Sequence, residues 1–446
     1  MADRRMNRMK HTSMSPMVDR PMSSTVVRRI KKSAHGGRII GRKAYRALLV
    51  MAGACLLGFL GVALYSIRKL QDPVSNSNNP LSGRLLSKTG VSIPIPSMGT
   101  GTGTSQNPDY ESPLLIFTCS RANYLAETLT DVYNYLPTPC TFGCPIIISQ
   151  DGKNAEVAQV IKDFQKKFED KGVPLLHIQH HLALRGPVEK HQAYQLLAQH
   201  YGGALKSLFH GQIDGLPTLP QRVMILEEDI HIAPDFFDYF QATSKMLDED
   251  PSLFAVSAFN DNGHMVKEPT RLLRSDFFPG LGWMMNRRLW IDELDSKWPS
   301  GYWDDWLRDP AQRQDRQVIR PEVSRTYHFG KEGGASHNQF GSLLASVKLD
   351  TQVVDWKHQD LSYLHEQAYN AQYAELIKSS RVLGTWEEAK EALETADVRL
   401  EYEHFHDFQR LAKRIHIMDD EKAMVPRTEL TMGWSKPDLL ESICFC

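Results

Sequence analysis

The stretch Ala47–Ile67 (ALLVMAGACLLGFLGVALYSI) carries no charge and is almost wholly apolar. About 20 such residues match the roughly 30 Å of hydrocarbon that a helix must cross. A cleaved signal peptide would show an apolar region of about 7–15 residues behind a short basic leader. This run is longer and starts far from the N-terminus, so an uncleaved transmembrane anchor is expected at 47–67. The following segment, 68–112, is rich in Ser, Asn, Gly, Pro and Thr, includes GTGTGTS, and lacks apolar periodicity. It predicts a flexible stem.

Periodic patterning begins at Pro113. Leu114–Thr118 is a short apolar run of the kind found in buried strands. RANYLAETLTDVYNYL predicts a helix, Pro145–Asp151 a second strand, and AEVAQVIKDFQKKFED a second helix. A third strand is expected near Pro174–Gln179, a helix near Val188–Leu208, and a fourth strand at Arg222–Leu226, running into Glu227-Glu228-Asp229. Strands alternating with helices of about 10–15 residues predict βαβ units, an α/β class and a mostly parallel central sheet. Ligands of such sheets bind beyond the carboxyl ends of the strands. Arg121, Asp151 and the Glu227–Asp229 cluster all fall just past strand ends, on that one rim.

Charge adds an orientation. Lys+Arg (52) and Asp+Glu (53) nearly cancel over the 446 residues, which points to no polyanionic partner. The first 46 residues are nevertheless strongly basic, with Arg4, Arg5, Arg8, Lys10, Arg28, Arg29, Lys31, Lys32, Arg42, Lys43 and Arg46 against Asp3 and Asp19. Basic residues ahead of an apolar span are retained in the cytoplasm. The segment is therefore expected to be a cytoplasmic tail and not a nucleic-acid arm, and everything after the anchor is expected to be lumenal. Five cysteines follow the anchor: Cys119, Cys140, Cys144, Cys444 and Cys446. The odd number leaves at least one thiol unpaired or linked to another chain. Cys140 and Cys144 resemble half a zinc site without a second half, and a disulfide from Cys119 to one of them is the expected arrangement.

Three consecutive acids after an apolar strand need positive compensation. A divalent cation bridging to a diphosphate would supply it, since hard cations prefer carboxylate oxygens. The alternative is a helix start at Ala233–Phe237, which favours nearby acids. Asp276–Trp283 (DFFPGLGW) combines flexible glycines with aromatic faces suited to a sugar ring. Trp303-Asp304-Asp305-Trp306 sets two carboxylates between indoles, either as a helix start with two core tryptophans or as a general base in an apolar setting. Phe329–His337 (FGKEGGASH) is glycine-rich enough either for a closing loop or for a plain surface loop.

LEEDIHIAPDFFDYF, SAFNDNG, SDFFPGLGW, YWDDW and IRPEVSRTYHFG, in this order, resemble the α-1,3-mannosyl-glycoprotein 2-β-N-acetylglucosaminyltransferase (N-acetylglucosaminyltransferase I) family. The resemblance runs from about Pro113 through Phe340 and continues more weakly to LAKRIHIMDDEKAMVPR. It implies a GT-A type nucleotide-sugar transferase domain over 113–340, with 341–446 as a small C-terminal domain. It also implies UDP-GlcNAc as donor, Mn2+ as metal, a mannose-terminated N-glycan as acceptor, and a Golgi membrane as location. The family's metal motif is usually Glu-Asp-Asp, so Asp229 is the implied metal ligand, and Glu228, implied on the nucleotide, is a departure, one methylene longer. Glu227 is implied on the donor sugar or ribose, Arg121 on the diphosphate or nucleotide, Asp151 on the uracil side and His200 on the nucleotide. Asp304 is the implied base, and Ser336 is implied to meet the diphosphate when its loop closes. Gly152 stands where the family often has a cysteine, so the family's usual disulfide cannot form unchanged. Two alternatives remain. An O-mannose β-1,2-N-acetylglucosaminyltransferase would carry an extra lumenal domain that a stem of this size cannot hold. A non-catalytic lectin or scaffold would have no need of Asp304.

Overall fold

The computed structural model describes residues 111–140, 142–181, 190–264, 268–331, 341–392, 398–402, 404–423, 425–426 and 441–445. The expected tail, the anchor and all of the expected stem but Glu111 and Ser112 lie outside them, and Ser112 is buried. Among the described residues no helix is long and apolar enough to cross a membrane.

Strand β1 (Pro113–Thr118) is buried at every position, as a strand covered by helices on both faces must be. Its side chains alternate between two cores. Leu114 and Ile116 face one cluster, Leu115 and Phe117 the other, following the two-residue period of a strand. Helix α1 (Ala122–Tyr135) buries Leu125, Thr128, Leu129 and Val132, a helical stripe of three- and four-residue spacing. After β2 (Gly143–Asp151), Asn154 caps α2 (Ala155–Glu169) by accepting from the Val157 amide at 3.0 Å. Then come β3 (Leu175–His180), α3 (Lys190–Phe209) and β4 (Arg222–Glu227).

The expected βαβ alternation is thus observed, with strand ends within two residues of their predicted positions. The central sheet has eight strands in the order β3-β2-β1-β4-β8-β6-β9-β7. β3, β2, β1 and β4 are mutually parallel, and β9 (Gln317–Pro321) is parallel to β6 (Leu253–Ser257). β8 (Trp283–Asn286) runs antiparallel between β4 and β6, and β7 (Leu272–Ser275) closes the edge antiparallel to β9. A second, two-stranded sheet joins β5 (Ile230–Ile232) to β10 (Thr326–His328).

Helix α4 (Phe236–Glu249) starts where the sequence suggests, but Asp235 does not cap it. Its carboxylate instead accepts from the Trp356 indole at 2.8 Å and pairs with the fully buried Arg325. Residues beyond 341 therefore continue the first core: Trp356, Leu364 and, from α6 (Glu366–Ser379), Tyr369 and Tyr373 are buried in it. A separate small sheet begins only at β11 (Arg381–Leu383), which pairs with β12 (Val398–Tyr402); Glu441–Phe445 lies antiparallel on β12.

The cysteine expectation is overturned. Cys140 and Cys144 are disulfide-bonded to each other, and Cys119 is free and exposed. The register explains why. Gly143 sits opposite Pro113 and Gln150 opposite Thr118, so Cys144 lies at the start of β1 and Cys119 past its end. Five to six residues of strand separate them, about 18 Å at 3.3 Å per residue.

Candidate active site

The chain crosses from β1 outwards through β2 to β3 and then returns to place β4 on the other side of β1. That reversal opens a crevice beyond the carboxyl ends of β1 and β4. Arg121 stands in the turn after β1; Glu227 ends β4, and Glu228 and Asp229 form the turn into β5.

Each of the three acids has a distinct partner. Glu227 accepts the Tyr201 hydroxyl on Oε1 at 2.7 Å; burial and the charge of Asp229 raise its pKa. Glu228 accepts from the Thr118 hydroxyl, the Cys119 amide (3.0 Å) and Arg121 Nε (2.6 Å). Asp229 Oδ2 meets Arg121 Nη1 at 2.8 Å and His328 Nε2 at 3.3 Å. Burial alone would raise the Asp229 pKa, but His328 and Arg121 outweigh it and hold the carboxylate in its charged form. Burial likewise acts against protonation of His328, and Asp229 reverses that balance.

Arg121 and His328 thus offset part of the charge of the three acids. A place for a hard cation remains, because Asp229 Oδ1 is buried with no hydrogen-bond partner, an unusual state for a carboxylate oxygen. Among the described residues no group of three or more His, Cys, Asp or Glu forms a metal cage. The donor set fits a cation held by one carboxylate that keeps most of its shell for water and substrate phosphate oxygens. Gly330 is pressed against the same acid: a Cβ there would lie 2.2 Å from Asp229 Oδ2. The Phe329 amide also donates to the Asp229 carbonyl at 3.1 Å.

Asp304 and Asp305 occupy the first turn of α5 (Trp303–Arg308). Arg308 Nη1 is 2.9 Å from Asp304 Oδ2 and 2.9 Å from Asp305 Oδ1, and Lys422 Nζ reaches Asp305 Oδ2 at 3.1 Å. WDDW is a helix start, as one of the two suggested readings has it, and the apolar setting of the other is not observed around Asp304. Trp303 is buried, yet the Asp304 side chain is 35% exposed and not enclosed by indoles. The ring of Tyr201 lies flat between Phe117 of β1 (3.8 Å between centroids) and Trp303 of α5 (4.2 Å). One side chain therefore ties the acid cluster to the helix that carries Asp304.

The DFFPGLGW aromatics do not offer faces to a sugar. Phe277, Phe278 and Trp283 are all buried, with Phe278 edge-on to Trp283 and Arg308 lying over Phe277. Asp151 ends β2 opposite His180, and its charge acts on both Cys119 and His180. His200 is 3% exposed, hydrogen-bonds Ser149 Oγ at 2.8 Å and packs edge-on against Phe117 and His180. Burial and the neighbouring His180 depress its pKa to about 3. Ser336 and most of its loop lie outside the described residues. Arg121, Glu227, Glu228 and Asp229 therefore converge at one crevice, Asp304 joins them through Tyr201, and Asp151 and His200 stand on the β2 side. Sequence reasoning missed Tyr201, His328, Gly330 and Arg308. Tyr201 follows His200 in AQHYGGAL, and His328 and Gly330 close IRPEVSRTYHFG, so those motifs held the signal.

A switch-point crevice with an unpartnered carboxylate oxygen on Asp229, a partly buried arginine and a separate carboxylate on Asp304 defines an α/β protein with a candidate active site. The chain belongs to the GNT-I family, whose model matches residues 93–432. It is 40% identical over 322 residues to an alpha-1,3-mannosyl-glycoprotein 2-beta-N-acetylglucosaminyltransferase of Arabidopsis thaliana, covering 71% of this chain and 69% of that one. Likeness to solved structures is far weaker. A mannosyltransferase of Pyrobaculum calidifontis, solved with GDP-Man and Mn2+, is 15% identical with a TM-score of 0.33, over 64% of this chain and 80% of its own. TarS of S. aureus is 12% identical with a TM-score of 0.32, over 50% of this chain and 37% of its own.

Proposed function

We propose that this chain is an inverting, metal-dependent glycosyltransferase that moves GlcNAc from UDP-GlcNAc onto the α-1,3-linked mannose of a high-mannose N-glycan, in β-1,2 linkage. Family membership and the relative's name support the reaction. The observation within this chain that carries it is the Glu227–Tyr201–Trp303 bridge, which holds the acid cluster and Asp304 in one assembly.

Asp304 accepts the proton of the mannose O2 hydroxyl as that oxygen attacks the anomeric carbon, and UDP leaves from the opposite face. A positioned base of this kind contributes about 10²–10⁴-fold. Arg121 offers its guanidinium to the diphosphate, where charge grows as the bond breaks. Asp229, through Oδ1, is the residue that would hold the divalent cation, Mn2+ in this reading. Bound there, the cation supplies Lewis-acid stabilisation of the departing diphosphate. Glu227, fixed by Tyr201, takes the donor sugar or ribose. Asp151 serves the uracil side, and His200, hydrogen-bonded to Ser149 of the same strand as Asp151, is assigned to the nucleotide side. Ser336, outside the described residues, is assigned to the diphosphate. The apolar run 47–67 behind a basic tail supports a single-pass type II anchor, with the catalytic part in the Golgi lumen.

The test uses full-length protein in detergent with UDP-GlcNAc, Mn2+ and a five-mannose N-glycan, read by product mass. One added HexNAc, lost with EDTA and in Asp304→Asn, is the expected result. Addition only to an O-mannosyl peptide would reassign the acceptor. No addition to either would leave a binding protein in place of an enzyme.

A further inference from the structure

We infer that Glu228 is a positioning residue that fixes Arg121 at the crevice and does not itself contact the nucleotide. The inference rests on the donor site proposed above. Glu228 is where this chain departs from Glu-Asp-Asp, and its longer side chain turns inward. The carboxyl-bearing side chain is only 5% exposed. Its two oxygens take three donors from one short segment: the Thr118 hydroxyl, the Cys119 amide and Arg121 Nε at 2.6 Å. Its backbone is pinned as well, since the Glu228 carbonyl accepts the Thr128 hydroxyl of α1 at 2.8 Å. A carboxylate so enclosed has little left to offer a ligand.

Arg121 is gripped at two points, Nε by Glu228 and Nη1 by Asp229 at 2.8 Å. A planar guanidinium held at two of its donors has a fixed orientation. The two grips differ in kind. Asp229 also faces the cation place, so its hold on Nη1 is one that ligand binding competes with. The Glu228 contact is independent of that place and keeps the guanidinium directed as the diphosphate arrives. Glu228 therefore acts on donor binding through Arg121 alone.

A double-mutant cycle separates this role from direct contact. UDP is titrated calorimetrically, with Mn2+ present, into full-length Arg121→Ala, Glu228→Gln and the double variant. Each single change is expected to weaken UDP binding about tenfold, the scale of one charged hydrogen bond. The double variant is expected to be no weaker than Arg121→Ala. Thr118→Val removes a Glu228 partner with little change of shape and covers the case in which Glu228→Gln does not fold. It should weaken UDP binding in the parent chain and leave Arg121→Ala unchanged. Losses that multiply, to about a hundredfold in the double variant, would show that Glu228 touches the nucleotide and overturn the inference. Undiminished UDP binding in Glu228→Gln beside an impaired Arg121→Ala would overturn it too. Undiminished binding in Arg121→Ala would instead remove the donor-site assignment on which it rests.

Discussion

Tyr201 donates its phenolic hydrogen to Glu227 Oε1 at 2.7 Å, from a fully enclosed ring stacked between Phe117 and Trp303. Burial and the nearby charges of Glu227, Asp229 and Asp304 push the phenol pKa far up, so it stays a donor at all physiological pH. The acid cluster and Asp304 are thereby carried on different elements, β4 and α5, and registered by one aromatic side chain from α3.

Tyr201→Phe keeps the stack and deletes the hydrogen bond. An unpartnered buried carboxylate oxygen costs about 1–3 kcal/mol, so the midpoint of urea unfolding should fall modestly. The same change should lower kcat by about 10–100-fold, since the bridge no longer sets Glu227 against α5. Wild-type kcat in a destabilised Tyr201→Phe would reduce the bridge to packing.

Asp304→Asn preserves shape and an acceptor for Arg308 while removing the proposed base. Transfer should drop by about 10²–10⁴-fold, with UDP affinity and melting temperature unchanged. Weakened UDP binding would place Asp304 on the donor and not on the acceptor hydroxyl.

Gly330→Ala tests how closely the segment after β10 abuts the acid cluster. The new Cβ would sit 2.2 Å from Asp229 Oδ2 and 2.9 Å from its Cγ. Either the carboxylate or the 329–331 backbone must move, so Mn2+-dependent UDP binding should weaken by about tenfold or more, since small displacements in a preorganised site are costly. UDP binding equal to wild type would show that the segment gives way freely.

His200 predicts a specific acid sensitivity. Its folded-state pKa is about 3, against about 6.5 when unfolded. The unfolded chain therefore binds more protons between these values. The stabilisation is complete above about pH 6.5 and is lost as pH falls towards 3, at about 1.4 kcal/mol per unit. Between pH 7 and 5.5, wild type should lose about 1 kcal/mol more than His200→Gln in urea unfolding. Parallel losses in the two proteins would mean that His200 is not held neutral.

Much of the fold was legible because its signals are local. Leu114–Thr118 and Ile146–Ile148 are short apolar runs bounded by turn residues, as strands with both faces covered are, and the three- and four-residue apolar spacing of α1 and α2 is that of helices. The acids at the end of β4 were legible as a site because strand ends in such a sheet lie on one rim. The antiparallel strands β7 and β8 were not assigned, because each is four residues long and pairs with partners distant in sequence. The aromatics of DFFPGLGW misled for a related reason: composition shows that they can stack, not on what.

By itself, then, the sequence determined the βαβ half of the sheet, the rim on which Arg121, Asp151 and Glu227–Asp229 gather, and the family-like order of motifs that includes Asp304. Periodicity and strand ends are properties of a few consecutive residues, and those suffice. Tertiary structure alone decided that Cys140 pairs with Cys144, that Glu228 turns inward to Arg121, that Asp235 serves Trp356 instead of its helix, and that Tyr201 joins Glu227 to α5. Each of the last three depends on which of several chemically suitable partners packing brings within hydrogen-bond reach, across 26 residues of chain for Tyr201 and Glu227, 107 for Arg121 and Glu228, and 121 for Asp235 and Trp356. For the cysteines, sheet register fixed the distances, and residue type carries no record of them.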